Sequence, residues 1–393
     1  MVLAGKSQDR LGPRITALIG GALVGLGFCW VSRTTSYWAW VAGFGVLTGA
    51  GLAFGYAAAT PPALKWYPHH RTGLVAGIVV SGFGLASVYI APLSTALLEQ
   101  HGLGGTMLCL GIAFFVVVAL FSRLLENPPA GHLPRGTIER RSGSDSNRQQ
   151  RVGFPDRNET PATLLRNRQF WLLWLLYFIG AGAGLMVIGN VAQMAKQSLG
   201  ARAFQAVAIL AIGNAVGRIV AGVASDQLGR RRTLQIMFAA QALLMLISTS
   251  VVRAGGGGPA AIVLVATLIG FCYGANLALF PSFAKDLWGI KGFGVNYGIL
   301  FTAWGIGGFC MSRLAETLKA RTGSLTASFI VAFVLLAGGV GLAGFIEDKK
   351  QIARREQRRL QAAQAGDATA ETAASAEPAP APGPVRRATS SEA

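Results

Sequence analysis

The chain has 393 residues, of which 52% are hydrophobic and only 13% charged, and it carries a formal charge of +18 at pH 7. That composition excludes an ordinary soluble globule, where charged residues make up roughly 25%. The cations lie between long apolar blocks, so the basic excess reads as a topology signal and not as a nucleic-acid footprint.

The chain opens MVLAGKSQDRLGPR, placing a charged turn at Gly5 to Arg14 before any apolar block. Gly5-Lys6-Ser7 imitates the end of a phosphate-binding loop. It lacks the glycine five residues upstream and the strand before it, and a membrane-length run follows. Ten apolar blocks come next, at 15–33, 37–59, 72–98, 104–125, 170–193, 203–224, 233–252, 260–284, 293–318 and 325–346. About 20 helical residues cross a hydrocarbon core, and lipid leaves backbone amides no partners outside the helix. An all-α, polytopic membrane protein with about ten transmembrane helices is predicted.

Of the 35 Lys and Arg residues, 27 fall on one side of this topology, 6 on the other, and Arg218 and Arg313 within spans. With the loop at 126–169 (Arg123 included) and the tail set aside, the split is 10 against 6. The positive-inside rule then puts both termini in the cytoplasm. Abundant Ala and Gly, with 27 Arg against 8 Lys, point to a GC-rich genome and a bacterial inner membrane. Cys29, Cys109, Cys272 and Cys310 all lie in spans, which implies no disulfide framework. The histidines occupy loops without metal-ligand spacing. No cofactor and no metal are called for. No nucleophile, base or metal constellation of an enzyme stands in the spans.

An internal repeat organises the rest. GKSQDRLGPR matches GVASDQLGRR from Gly222 in its glycines, aspartate and final arginine, 217 residues on. Tyr56 and Tyr273 stand at the same offset, each followed by a proline and a basic loop. Two spans precede the motif in the second copy and none in the first, so the first copy is read as lacking two helices. The division expected is residues 1–125, a linker at 126–169, a six-helix half at 170–346 and a basic, then disordered, tail at 347–393. The tail's cations are drawn to anionic lipid, and its Ala-, Pro-, Glu- and Ser-rich end is read as a solubilising extension.

Arg218 lies eight residues before Asp226, hence about 12 Å above the end of its helix and close to the middle of a ~30 Å core. A charge at that depth marks a polar cavity or a partner. No Asp or Glu lies at comparable depth in another span; Glu99 is near an outer end, and Arg313 pairs locally with Glu316. The partner predicted for Arg218 is therefore an external anion, which a guanidinium grips bidentately when it is a carboxylate. A carbonyl-capping or snorkelling arginine is the structural alternative. Gly73-x-x-x-Gly77 and Gly45-x-x-x-Gly49 carry the spacing of close helix contacts.

Six plus six helices with GxxxDxxGxR after the second helix of each half resembles the major facilitator superfamily. GPRITALIGGALVGLGF, RTGLVAGIVVSGFGLASVYIAPL, QFWLLWLLYFIGAGAGLM, GRIVAGVASDQLGR, ALFPSFAKDLWG and NYGILFTAWGIGG more closely resemble the oxalate:formate antiporter family. That resemblance implies a monomeric carrier working by alternating access, with a latch at Gly5, Asp9, Arg10, Gly12 and Arg14 and again at Gly222, Asp226, Gly229 and Arg230. Aspartates near helix N-termini would be held by the dipole, and the arginines would bridge to neighbouring helix ends. Arg218 matches the arginine of the family's oxalate site, and Phe54, Phe83, Tyr273 and Phe301 fall where that site has its aromatic cage. Trp304 stands where the family's oxalate carrier has a lysine, which leaves one cation and favours a monocarboxylate. Asn276 and Asn190 are further polar residues in spans, fit for a carboxylate or for a helix–helix hydrogen bond. Two alternatives stay open at this point: a proton-coupled facilitator for a neutral or cationic solute, and a non-transporting fragment or carboxylate sensor.

Overall fold

A computed structural model describes residues 1–129, 159–199, 203–253, 258–290 and 292–347. Most of the linker and the tail after Glu347 lie outside the described residues, and with them the expectations for the tail.

The described residues are helical throughout, in chain order α1 (Val2–Val31), α2 (Tyr37–Trp40) running through a π-helical stretch (Val41–Thr48) into α3 (Gly49–Trp66), α4 (Thr72–Ser122), α5 (Pro161–Leu165), α6 (Arg168–Leu199), α7 (Ala203–Leu228), α8 (Arg230–Arg253), α9 (Pro259–Trp288), α10 (Phe293–Leu300), α11 (Thr302–Thr322) and α12 (Thr326–Ala343). Nine helical stretches among the described residues are long and apolar enough to cross a membrane, against ten predicted blocks. The difference is Gly102, which interrupts the 51-residue α4 at φ 63° and ψ −176°. Before it, Gly73, Gly77 and Gly84 meet Gly222, Arg218 and Ala215 in turn, antiparallel to α7. After it, Gly104, Gly111 and Val118 meet Ser32, Phe28 and Gly21, antiparallel to α1. The two parts run in opposite directions, so α4 makes two of the ten crossings, and only a glycine takes that reversal without strain.

The opening charged stretch is not a loop. Residues 2–11 are helical and end at Gly12, φ 80°, with Pro13 starting the next turn. They pack on α10, with Gly5 against Gly294 and Met1 against Gly298. α7 ends in the same way before Gly229, φ 94°, 217 residues later. The repeat is therefore a repeat of helix ends.

Glycine spacing divides in two. Gly73 and Gly77 sit where a methyl group would strike α7 backbone, whereas Gly45 and Gly49 have no neighbour within 4 Å among the described residues. The π-helical turn rotates the contact face there, so Gly43 and Gly51 approach α1 instead, at Gly27 and Gly20. Aromatic side chains stand exposed at both ends of the bundle, Trp30, Tyr37 and Trp38 at one and Trp66 and Trp171 at the other. Amphipathic rings at the two interfaces and apolar residues such as Leu26, Val46 and Phe115 facing outward suit a lipid-embedded body.

The halves are unequally filled. In the second, α6 lays Leu176 and Gly180 against Phe238 and Gly339, and Gln241 donates to the Gly180 carbonyl at 3.3 Å. In the first, the repeat-related positions Gly21, Val24 and Ser122, with Phe28, Phe44 and Phe83, line an open apolar pocket of about 570 Å³. Among the described residues no helix takes the place of α6 there.

Candidate functional site

Arg218 projects from α7 at the seam with α4 and is 4% exposed. Its Nε donates to Oδ1 of Asn214 at 2.9 Å, and its Nη1 donates to the Val80 carbonyl of α4. The close approach of the glycine faces of α4 and α7 brings that carbonyl within reach. Tyr56, Tyr177, Tyr273 and Tyr297, from four different helices, surround the guanidinium within electrostatic reach. No carboxylate among the described residues pairs with it, so the charge is held by dipoles alone: an amide, a carbonyl and phenol groups.

Phe301 is the hub of the aromatic wall, 5.0 Å from Tyr56, 5.1 Å from Trp304 and 5.7 Å from Tyr297 between ring centres. Phe83 lies 5.1 Å from Tyr56. The Tyr56 and Tyr297 hydroxyls are 3.3 Å apart, one from each side of the linker. Trp304 Nε1 donates to the Tyr273 hydroxyl at 2.9 Å. The structure thus assembles Arg218, Phe83, Tyr273, Phe301 and Trp304 into one neighbourhood. Phe54 lies instead beside Gly20 of α1, without a ring contact among the described residues. Asn276 is fully buried beside Gly180, and its amide atoms have no hydrogen-bond partner among the described residues. Asn190 donates to the Met186 carbonyl of its own helix at 2.8 Å.

Asn214, Tyr56, Tyr177 and Tyr297 were not among the site residues expected from the sequence. Two signals were present. Tyr56 is the repeat partner of Tyr273, and Asn214 stands four before Arg218, on the same helix face.

At the basic end, Asp226 accepts from the Gly73 and Leu74 amides at 3.0 and 2.9 Å, capping the start of α4. Asp9 accepts from the Gly294 and Val295 amides at 3.3 and 3.1 Å, capping the start of α10. Each cap crosses from one half to the other. Arg230, 3% exposed, pairs with Asp226 at 2.7 Å and with Asp286 at 3.0 Å and also donates to Ser225. Through Asp286 it reaches the last turn of the neighbouring α9, and its Nη1 lies beside Gly73 at the start of α4. Arg14 also reaches a helix end, bonding Glu126 and the Leu125 carbonyl just past α4, at the exposed surface. Arg10 is exposed. Gly12 and Gly229 stop their helices at positive φ. Gly5 and Gly222 let the partner helices touch. Lys285, 1% exposed, adds a further bridge from α9 to the end of α3, donating to the Leu64 and Tyr67 carbonyls at 2.6 and 3.2 Å.

A chain with a duplicated helix-end motif, capping in both directions across the apolar helices of the described residues, is matched by the Major Facilitator Superfamily profile over residues 1–312. The chain belongs to the Major Facilitator Superfamily. It is a multi-pass membrane transporter and not an enzyme. It is 27% identical over 331 residues to the oxalate:formate antiporter of Oxalobacter formigenes, covering 82% of this chain and 73% of that protein. It is 28% identical over 341 residues to monocarboxylate transporter 13 of Rattus norvegicus, covering 85% and 73%. In fold it resembles the Escherichia coli fucose:proton symporter FucP (N162A variant), with a TM-score of 0.62 at 15% identity, covering 88% of this chain and 87% of that one.

Proposed function

We propose that this transporter carries small monocarboxylates, exchanging one anion for another by alternating access between residues 1–125 and 170–346. The observation that carries this reading is the buried Arg218, whose described partners are neutral. A guanidinium held in that way keeps its charge, and a carboxylate is the ligand that answers it bidentately. An empty carrier must move Arg218 without a counter-charge, whereas a loaded one moves a neutral pair, which favours exchange over net flow. Likeness to an oxalate:formate antiporter and to a monocarboxylate transporter supports the carboxylate class. Trp304 spends its N–H on Tyr273 and adds no second cation, which favours one carboxylate over two.

In this reading the Asp9 and Asp226 caps, with Gly5, Gly12, Arg14, Gly222, Gly229 and Arg230 around them, form the latch that holds the basic end shut. The protein works as a monomer in a bacterial inner membrane, with the basic end and both termini in the cytoplasm. Counterflow of labelled formate, pyruvate and oxalate in proteoliposomes tests it, with and without Arg218→Gln. Uptake of a carboxylate that the substitution abolishes is the expected result. No carboxylate uptake, or uptake that Arg218→Gln leaves unchanged, ends the proposal.

A further inference from the structure

A guanidinium recognises a carboxylate only when its plane is fixed, and two contacts fix that of Arg218: Asn214 Oδ1 on Nε and the Val80 carbonyl on Nη1. Among the described residues it makes no further hydrogen bond, which leaves the Nη2 side for a ligand. Asn214 is itself held. It is 8% exposed, and α9 passes so close that its carbonyl and its Oδ1 occupy the space a side chain at Gly274 would need. The amide is confined between Gly274 and the arginine and cannot swing away without the helices parting.

The residue type matters as much as the contact. An amide oxygen accepts the Nε proton and leaves the positive charge in place. A carboxylate at the same spot would accept it and cancel the charge. The titratable groups facing Arg218 from the other packed elements are Tyr56 of α3, Tyr177 of α6, Tyr273 of α9 and Tyr297 of α10, with the Val80 carbonyl from α4.

We propose that Asn214 is the positioning residue of the anion site: it locks the Arg218 fork by accepting from Nε and, being neutral, reserves the whole charge for the incoming carboxylate. This rests on the reading of Arg218 as the anion contact.

The test uses the full chain in proteoliposomes, with formate and pyruvate counterflow measured against concentration. Asn214→Leu keeps the branched shape, with bulkier ends, and removes the acceptor. It is expected to raise KM about tenfold or more, with the maximal rate within about twofold of the parent. Asn214→Asp keeps the shape and adds a charge. It is expected to raise KM at both about pH 7.5 and about pH 5.5, because a carboxylate paired with a guanidinium stays ionised at either pH and competes with the transported anion. The parent KM should stay flat over that range. A residue that only packs would lower the maximal rate and leave KM alone. Parental KM in Asn214→Leu, or in Asn214→Asp at both pH values, overturns the positioning role while Arg218→Gln still abolishes uptake. If Arg218→Gln transports like the parent, the site itself is wrong and the role of Asn214 falls with it.

Discussion

Asp9 and Asp226 stand 217 residues apart in the chain, and each caps the first turn of a helix in the opposite half, α10 for Asp9 and α4 for Asp226. The caps are chemically alike and electrostatically unequal. Asp226 is also salt-bridged to Arg230 at 2.7 Å, while the position that repeats Arg230 in the first half is Pro13, and Asp9 feels only the longer-range charge of Lys65.

That inequality sets the first prediction. Asp226→Ala removes one partner of a buried pair as well as a cap and should destabilise by about 3 kcal/mol. Asp9→Ala removes a cap and should destabilise by about 1 kcal/mol. Thermal unfolding of the two variants in detergent gives the order, and equal shifts would show that Arg230 adds nothing to the Asp226 latch.

Glycines of the same spacing should behave oppositely. Gly73→Ala and Gly222→Ala each drive a methyl group into the facing backbone and should force α4 and α7 apart, lowering the melting temperature and uptake together. Gly45→Ala meets nothing within 4 Å and should be neutral or gain about 0.5–1 kcal/mol from the lost backbone entropy. A strongly destabilised Gly45→Ala would mean that this face is covered in the assembled protein.

Arg218→Lys keeps the charge and loses the fork. One ammonium cannot span Asn214, Val80 and a ligand as the planar group does. KM for the transported carboxylate is expected to rise about tenfold or more, read from counterflow, with some transport retained where Arg218→Gln has none.

Trp304→Lys adds a second cation beside Tyr273. The ratio of oxalate to formate uptake should rise about tenfold, which corresponds to about 1.4 kcal/mol of added discrimination. Competition between the two labelled anions measures it. An unchanged ratio would remove Trp304 from the specificity argument.

Length, apolar blocks and charge placement determined that the chain spans a membrane as helices, because lipid permits little else for runs of that length. The 217-residue offset determined that it is built as a repeat, since the motif's glycines and aspartates are short-range signals that survive on the page. Arg218 was legible for the same reason: an ion at mid-span is too costly to be incidental. Tertiary structure decided the rest. It showed the charged opening to be the end of a helix, because whether a glycine stops a helix or lies in a loop depends on what the preceding turn packs against. It turned α3 so that Tyr56 met the aromatic wall and Phe54 met Gly20, a rotation that depends on a π-helical register no local pattern announces. It paired Arg218 with Asn214 and Val80, because a guanidinium reaches across a helix seam only where glycines on both sides let the backbones touch.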